Sequence, residues 1–373
     1  MAINEGANGM RDGRKAAVLS LHFSPAFISH MIAYGKSLRE LGYEVTFLLD
    51  ERYLSFGSFS AVGMVTGAKE YIARASQKFD VAIFCNSSPR NPFFTSRMRA
   101  QGTAVLYVYH EPISVWDWRQ LRLEGWRQIA RFPFSAYFSI RTLRQSSGVI
   151  VPSACARVDY DRNYQKYNSN VHTLPLLYDD EINAEQFNEA VGHKRLFGFI
   201  GNVSRGHGFD RFVAFAKYAI KNGSVIPFVI ATRQNLGKLL SDDEFFRYVR
   251  DGKIRIEHGR VLSNDEINQY YLQCFCVWNV YRRSTQSGVM PRSFMAGTPV
   301  LASRLGSFPE YVREGVTGEF VDSGDDLPSL LSIVENMRSQ YSKYVEGCRR
   351  MFLEKFYYKA NIDRLASIIN ELR

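Results

Sequence analysis

Short apolar runs, each bounded by turn residues, recur along most of the chain and are separated by longer mixed segments. Such runs are typical of parallel strands, which are buried on both faces of their sheet. A helix over 30–41, ended by Gly42, joins the first two of these runs into a β-loop-α-β unit. We predict strands at 16–21, 43–49, 80–85, 104–109, 148–152 and 171–177, and a second series at 196–200, 225–232, 254–259, 274–281 and 299–303. The pattern favours two doubly wound α/β domains.

The polar stretch 178–193 separates the two series of strands and is the best candidate for a linker. With 373 residues, of which 46% are hydrophobic, the chain can bury two cores. We therefore predict a first Rossmann-like domain over 1–182 and a second over 183–355. From Leu327 to Arg373 the chain reads as helices.

Charge and cysteine content narrow the class of protein. The net charge of +10 requires an anionic partner such as a nucleotide diphosphate, an anionic lipid or a nucleic acid. We expect no nucleic-acid partner, because no nucleic-acid-binding motif is present. Five scattered cysteines, a polar N-terminus without an apolar signal core and the lack of an apolar run of 18 residues predict a cytoplasmic protein.

The segment 115–144 has an unusual composition. It contains six arginines against two acidic residues, together with three of the four tryptophans. Interleaved aromatic and arginine side chains suit a membrane interface, where rings lie among the headgroups and guanidinium groups bind lipid phosphates. The alternative is a helix pair whose aromatic residues pack on the sheet and whose arginines face water. We expect peripheral contact with an anionic membrane through 115–144.

The stretch after the apolar run 274–281 predicts a phosphate-binding loop. Gln286, Ser287 and Gly288 form a small polar turn, and Ser287 or Gly288 can cap a helix that runs to about Ala296. Free N–H groups and the helix dipole at such a turn attract a diphosphate. The alternative is that Ser-Gly only caps an ordinary helix. No Asp-x-Asp motif of metal-ligand type lies at a strand end, so we expect no metal or other cofactor.

The motifs beyond this loop carry a family resemblance. Residues 297–300 (Gly-Thr-Pro-Val), Pro309-Glu310, Gly315 and Gly318 resemble the C-terminal donor site of retaining nucleotide-sugar glycosyltransferases of the GT-B fold, family 4 type. Members usually carry a Glu-x7-Glu pair there. In this chain the two glutamates fall on Ser284 and Arg292, or, when the Gln-Ser-Gly turn is aligned, on Gln286 and Phe294. The chain is thus a variant that lacks the pair.

The resemblance implies a set of site residues between two facing Rossmann-like domains, the first completed by a terminal helix within 356–373. At 201–208 the chain has Asn202 and His207 where the family places its two phosphate-binding cations, with Arg205 between them. The implied catalytic residues are His110 and Glu111; the donor phosphate ligands are Arg205, His207, Gln286, Ser287, Gly288 and Val289; the nucleoside contacts are Gly259, Arg260, Val261 and Arg292; and the donor/acceptor loop supplies Ser24, Phe27 and Ser29.

The resemblance implies transfer of a sugar, of the hexosyl type, from a nucleotide diphosphate sugar to an acceptor hydroxyl, with retention and without a metal ion. The basic aromatic segment adds a lipid-linked saccharide acceptor at the inner face of the plasma membrane, in surface polysaccharide biosynthesis. Two alternatives stay open: a sugar-nucleotide epimerase on the same fold, which would need acid and base carboxylates in the cleft, and a degenerate homologue that binds a partner without catalysis.

Overall fold

Two fully parallel sheets form the frame of the molecule. The computed structural model describes residues 13–55, 59, 62–73, 77–112, 126–284, 286–322, 324 and 326–372. The first sheet contains β1 (Lys15–Ser20), β2 (Glu44–Leu49), β3 (Met64–Gly67), β4 (Val81–Phe84), β5 (Ala104–Val108), β6 (Gly148–Val151) and β7 (Val171–Thr173). Its order is β3-β2-β1-β4-β5-β6-β7. This order places the switch point of a doubly wound sheet between β1 and β4.

The second sheet repeats the arrangement. It contains β8 (Leu196–Ile200), β9 (Phe228–Thr232), β10 (Ile254–His258), β11 (Cys274–Asn279), β12 (Val300–Ser303) and β13 (Gly318–Val321), in the order β10-β9-β8-β11-β12-β13. The predicted strands are confirmed in both sheets. Only the edge strands β3 and β13 were not predicted, because both are short and only partly buried and so lack a continuous apolar run.

Helices connect the strands and cover both faces of each sheet. Those of the first domain are α1 (Ile28–Glu40), α2 (Ala68–Ala73), α3 (Asn91–Ala100), α4 (Trp126–Gln145) and α5 (Ala154–Asn163). The rest are α6 (Ala184–Val191), α7 (Phe209–Lys221), α8 (Gly237–Leu240), α9 (Asp243–Arg250), α10 (Asn264–Gln273), α11 (Val289–Met295), α12 (Phe308–Tyr311), α13 (Leu327–Ser339), α14 (Ser342–Met351) and α15 (Ile362–Glu371). Among the described helices, none is long and apolar enough to cross a membrane.

The chain crosses between the domains twice. On the first crossing, the predicted linker contains helix α6, capped by Asn183 and Gln186 in a capping box. On the second, Tyr178 pairs through its backbone with Phe356 and Tyr358 at 2.8 and 2.9 Å. Helix α15 then buries Leu365, Ile368 and Ile369, its apolar stripe, in the core beneath β1, β2 and β4. The predicted boundary between 182 and 183 stays a prediction.

The contacts between the domains include a helix cap and a buried polar cluster. The Glu310 carboxylate accepts hydrogen bonds from the backbone N–H groups of Ala154 and Cys155 at 3.0 and 2.9 Å, so a residue of the second domain caps helix α5 of the first. The second contact is a buried polar cluster around Arg292, described with the site below.

Of the predicted membrane segment, residues 115–125 lie outside the described part of the chain, and its remainder forms most of α4.

Candidate active site

Two adjoining cavities lie where the carboxyl ends of the two sheets meet. The cavity on the side of the second domain, which we call the donor cavity, has a volume of about 360 Å³. The cavity on the side of the first domain, which we call the acceptor cavity, has a volume of about 580 Å³. Both volumes are typical of small-molecule sites, and the carboxyl ends of parallel strands are where such sites lie.

The two cavities share one wall. It is formed by Ala26, Glu111, Asn202, Arg233 and Gln286, which line both cavities. Glu111 lies just beyond β5, Asn202 beyond β8 and Arg233 directly after β9. A molecule bound in one cavity therefore meets a molecule bound in the other at a junction that holds one carboxylate and one guanidinium group.

The loop after β8 presents His207 to the donor cavity. The His207 ring stacks on Tyr281 at 4.4 Å, and its Nδ1 donates a hydrogen bond of 2.8 Å to the Asn202 carbonyl. Gly208, with φ +67°, makes this packing possible. A Cβ atom at position 208 would lie 2.1 Å from the Val280 carbonyl oxygen, so any other residue would push the loop away from the strand.

The predicted phosphate-binding turn lies on the same cavity. Gln286, Ser287, Gly288 and Val289 all contribute to its lining. The Ser287 hydroxyl accepts a hydrogen bond from the Val289 N–H at 3.2 Å, and the Tyr178 hydroxyl donates to the Gly288 carbonyl at 2.9 Å. Helix α11 begins after Gly288, one of the two predicted caps, and it ends before Gly297, whose φ is +63°.

Arg292 occupies the floor of the donor cavity and binds four polar partners. Its guanidinium donates to Glu181 at 3.2 Å, to Asn268 and Asn264 at 2.9 Å each, and to the Ser29 hydroxyl. Burial alone lowers the pKa of Arg292, but Glu181, Tyr178 and Tyr271 outweigh it and raise the pKa above its ordinary value. The cluster joins α1, the linker, α10 and α11, and it is fully paired, as a buried charge requires.

Glu181 completes this cluster from the other side. Its carboxylate accepts hydrogen bonds from the Ser29 hydroxyl at 2.7 Å and from the Asn264 and Asn268 amides at 3.0 and 3.1 Å. Ser29, predicted for the donor/acceptor loop, therefore binds across the domains and lies outside the described lining of both cavities. Sequence patterns did not point to Glu181, since one acid in a polar stretch carries no motif.

The first domain contributes His110, Glu111, Ser24 and Phe27 to the acceptor cavity. The His110 Nε2 donates to the Cys85 carbonyl at 2.8 Å, and its ring lies 4.6 Å from the Phe27 ring. Burial lowers the pKa of His110 to about 4, although the bond to Cys85 opposes the shift. His110 is therefore a neutral part of the wall near pH 7, whereas Glu111 is exposed to the cavity.

Three other predicted residues lie outside the described lining of the cavities. Arg205 is exposed, and its carbonyl accepts hydrogen bonds from the Gly208 N–H at 3.1 Å and from Arg282 at 2.9 Å. Arg260 pairs with Glu257 at 2.9 Å and with Glu266 at 2.7 Å, and Gly259 is an exposed turn residue with φ +84°. Of the predicted nucleoside contacts, Val261 and Arg292 do line the donor cavity. The roles assigned to Arg205, Gly259 and Arg260 stay predictions that this arrangement does not support.

Like Glu181, Arg233 carries no motif that marks it in the sequence. It lines both cavities and forms no ion pair or side-chain hydrogen bond with the residues that the structure describes. A signal was available, because Arg233 directly follows the apolar run 225–232 and charged residues at the ends of parallel strands reach the ligand site. Within the described ranges no group of three or more His, Cys, Asp or Glu side chains could hold a metal ion.

Comparison with solved structures shows the fold of the whole chain. The HepE protein Alr3699 of Anabaena, solved with UDP and glucose, superposes with a TM-score of 0.69 at 12% identity, over 96% of this chain and 99% of that one. Sucrose-phosphate synthase from Thermosynechococcus elongatus gives 0.68 at 14%, over 96% and 99%. WaaG, a glycosyltransferase involved in lipopolysaccharide biosynthesis, gives 0.63 at 14%, over 95% and 99%. The two domains and their cleft define a GT-B fold.

A family model matches the second domain. Residues 194–337 match the model described as Glycosyl transferases group 1. The resemblance drawn from residues 278–322 is thereby confirmed, whereas the assignment of the missing Glu-x7-Glu pair stays a prediction. A comparison with curated protein sequences found no match.

Proposed function

We propose that the protein transfers a glycosyl group, of the hexosyl type, from a nucleoside diphosphate sugar in the donor cavity to a hydroxyl in the acceptor cavity. The shared wall carries this proposal, because it brings the two cavities together at Glu111 and Arg233. In the solved HepE structures, the bound molecules are UDP, glucose and UDP-glucose.

In the proposed reaction, the bond between the anomeric carbon and the diphosphate breaks and a bond to the acceptor oxygen forms with retention. Negative charge grows on the leaving diphosphate, and fixed positive groups stabilise it. Arg233 and the N–H groups of Ser287 and Gly288 supply these positive groups, so we propose that no metal ion is required. The leaving phosphate takes the proton of the acceptor hydroxyl, and Glu111 stabilises the positive charge at the anomeric carbon.

The acceptor that we propose is lipid-linked. Helix α4 supports this, because Ser135, Ala136 and Ser139 line the acceptor cavity while Phe134 and Tyr137 of the same helix are 64% and 53% exposed. One helix therefore borders the site and also carries exposed rings of the kind that enter a membrane interface. We propose peripheral binding to the inner face of the plasma membrane and a role in surface polysaccharide biosynthesis.

Calorimetric titration with UDP, GDP, CMP and dTDP tests the donor site. We expect one diphosphate to bind the wild type, and Arg233→Ala to weaken its affinity about 10- to 100-fold, since hydrogen bonds to charged groups contribute about 1.5–3 kcal/mol. Arg205→Ala is the matched control, because this exposed arginine lies outside the described lining. No heat with any nucleotide would contradict the proposal.

A transfer assay then separates the alternative activities. Release of the nucleotide only when donor and acceptor are both present supports a transferase. Conversion of the donor sugar without an acceptor would favour the epimerase, and binding without turnover would favour the non-catalytic homologue. Within the described residues the lining of the cavities contains a single carboxylate, Glu111, whereas an epimerase of the kind considered needs an acid and a base.

A further inference from the structure

Three loops of the second domain meet beside the donor cavity. They follow β8, β9 and β10, and they contribute Asn202, Arg233 and Val261 to its lining. The ladder between β8 and β9 reaches as far as the hydrogen bond of 2.9 Å from the Gly201 N–H to the Ala231 carbonyl. Beyond that bond the two chains leave the sheet, so the loops need other contacts to keep their relative positions.

The side chain of Gln234 provides such a contact. Its Oε1 accepts a hydrogen bond from the Val203 N–H, and its Nε2 donates to the Val203 carbonyl at 3.1 Å. Because the N–H group can only donate and the carbonyl can only accept, this pairing fixes the orientation of the amide. The Gln234 side chain thus pairs with the loop after β8 in the way that a neighbouring strand would.

The backbone of Gln234 holds the other two loops. Its N–H donates to the Thr232 hydroxyl, at the end of β9, at 3.2 Å. Its carbonyl accepts from the Gly259 N–H, at the start of the loop after β10, at 3.2 Å. One half-buried residue therefore ties together the loops that follow β8, β9 and β10.

The Gln234–Val203 pair lies next to the wall that the two cavities share. Val203 directly follows Asn202, and Gln234 directly follows Arg233. Asn202 and Arg233 both line the donor cavity and the acceptor cavity. Both side chains are exposed, so their positions depend on the backbone that carries them. The Gln234–Val203 pair sets the spacing of that backbone.

We infer that Gln234 is a positioning residue for donor binding, which holds Arg233 beside Asn202 at the junction of the two cavities. The inference rests on the proposed function, because Arg233 is there a ligand of the donor diphosphate. Gln234 itself lies outside the described lining and acts through its neighbour. An arginine that is placed in advance loses less entropy when it binds a phosphate, so the pairing strengthens donor binding.

Calorimetric titration of Gln234→Met tests the inference, with the nucleoside diphosphate that binds the wild type. Methionine keeps the length of the side chain but removes both hydrogen bonds to Val203. We expect the affinity to fall about 5- to 20-fold, because two hydrogen bonds that hold the wall are lost. Gln234→Asn, whose amide is withdrawn from Val203 by a shorter side chain, should show the same loss. It serves in place of Gln234→Met if that variant does not fold.

Asn168→Leu is the matched control. Asn168 is a half-buried amide of the first domain that also pairs with backbone groups: its Nδ2 donates to the Leu143 and Ser146 carbonyls and its Oδ1 accepts from the Asn170 N–H, each at 2.9 Å. It lies outside the described lining, so we expect its loss to leave nucleotide affinity unchanged. Chemical denaturation of both variants shows whether their losses of stability are comparable.

A double-mutant cycle with Arg233→Ala separates positioning from general destabilisation. If Gln234 acts through Arg233, Gln234→Met should weaken binding by less than about twofold in the Arg233→Ala background. An equal loss in both backgrounds would overturn the inference, and so would wild-type affinity in Gln234→Met and Gln234→Asn. A wild-type protein that binds none of the nucleotides contradicts the proposed function and removes the inference with it. Nucleotide binding that the Gln234 variants leave intact overturns the inference alone.

Discussion

The donor and acceptor cavities are built by equivalent parts of two similar sheets, yet they differ in charge. Both lie at the carboxyl ends of parallel strands, around β8, β9 and β11 in one domain and β1, β4 and β5 in the other. Arg233 lies on the wall that both cavities share. The donor cavity also has Arg292 and His207 in its lining, whereas the acceptor cavity beyond that wall is lined by hydroxyls, amides, two histidines and aromatic rings.

This difference shows that the strand order determines where a site lies, whereas the residues of the loops determine which ligand it binds. The order of strands in each sheet fixes where a ligand can bind, because it opens a crevice at the switch point. The residue that follows each strand then decides what binds. His110 after β5 is held neutral by burial, while Arg233 after β9 reaches both cavities as a cation.

The largest expected effect concerns the junction of the two cavities. Glu111→Gln keeps the shape of the side chain but removes its charge, so we expect kcat to fall about 10²- to 10³-fold, as for other groups that stabilise transition-state charge. Nucleotide affinity should change less than about twofold, because charge stabilisation at the anomeric carbon acts on the transition state. Steady-state kinetics with calorimetry measure both.

Glu346→Gln is the control for this change, since Glu346 is an exposed carboxylate of α14 outside the described lining. Loss of nucleotide binding in Glu111→Gln would break the comparison, because it would place Glu111 on the donor side. Unchanged kcat would remove Glu111 from the reaction.

The next effect concerns the buried charge beneath the donor cavity. Arg292→Met leaves Glu181 buried without its cation, so we expect a loss of about 3–5 kcal/mol in the free energy of unfolding. Chemical denaturation measures it. Arg304→Met removes one partner of the exposed Arg304–Glu314 pair and should cost less than about 1 kcal/mol. Equal losses in the two variants would show that the cluster does not act as a buried ion pair.

The smallest expected effect concerns two buried histidines of the first domain, His30 and His110. Burial, with nearby His110 and Arg292, lowers the pKa of His30 to about 3 despite its bond to the Leu177 carbonyl, and the pKa of His110 is about 4. The unfolded chain binds a proton at each near pH 6.5, so stability is full above that pH and falls as the pH drops toward 4 and 3. At pH 5 each should cost about 2 kcal/mol.

Unfolding measured at pH 7.5, 6 and 5 checks this sign. The loss in the free energy of unfolding between pH 7.5 and pH 5 should be smaller in His30→Gln than in the wild type. It should be unchanged in His22→Gln, which replaces an exposed histidine of the same region. Stability that rises toward pH 5 would show that the histidines are protonated in the folded protein. The acceptor side would then be charged like the donor side.

Apolar runs were enough to predict most strands and the fold, because a parallel strand is buried on both faces and each run must be continuous. The helix from Val289 and the terminal helix also followed from turn residues and apolar spacing. The buried polar cluster around Arg292, which joins the two domains, could not be predicted. Ser29, Glu181 and Arg292 are separated by more than a hundred residues along the chain, and only the crossing of the linker brings them within hydrogen-bond reach.

The residues of the candidate site could likewise be predicted only in part. Glu111, His207 and the turn at 286–289 lie in the lining because they directly follow strands or precede a helix. Arg205, also in a strand-end loop, points elsewhere, since which side chain of a loop faces the cleft depends on its backbone turns. Those turns are set by contacts such as Gly208 on Val280, which join distant parts of the chain.

The return of α15 to the first domain has a consequence for the order of folding. The core that contains β1 and β2 includes Leu365, Ile368 and Ile369, which are synthesised after the second domain. During synthesis that core exposes an apolar stripe for as long as the ribosome is making the second domain, and domains otherwise tend to fold in order from the N-terminus. The first domain is therefore completed only after the second domain has been synthesised, and truncation before Ile362 should leave a chain that needs a chaperone.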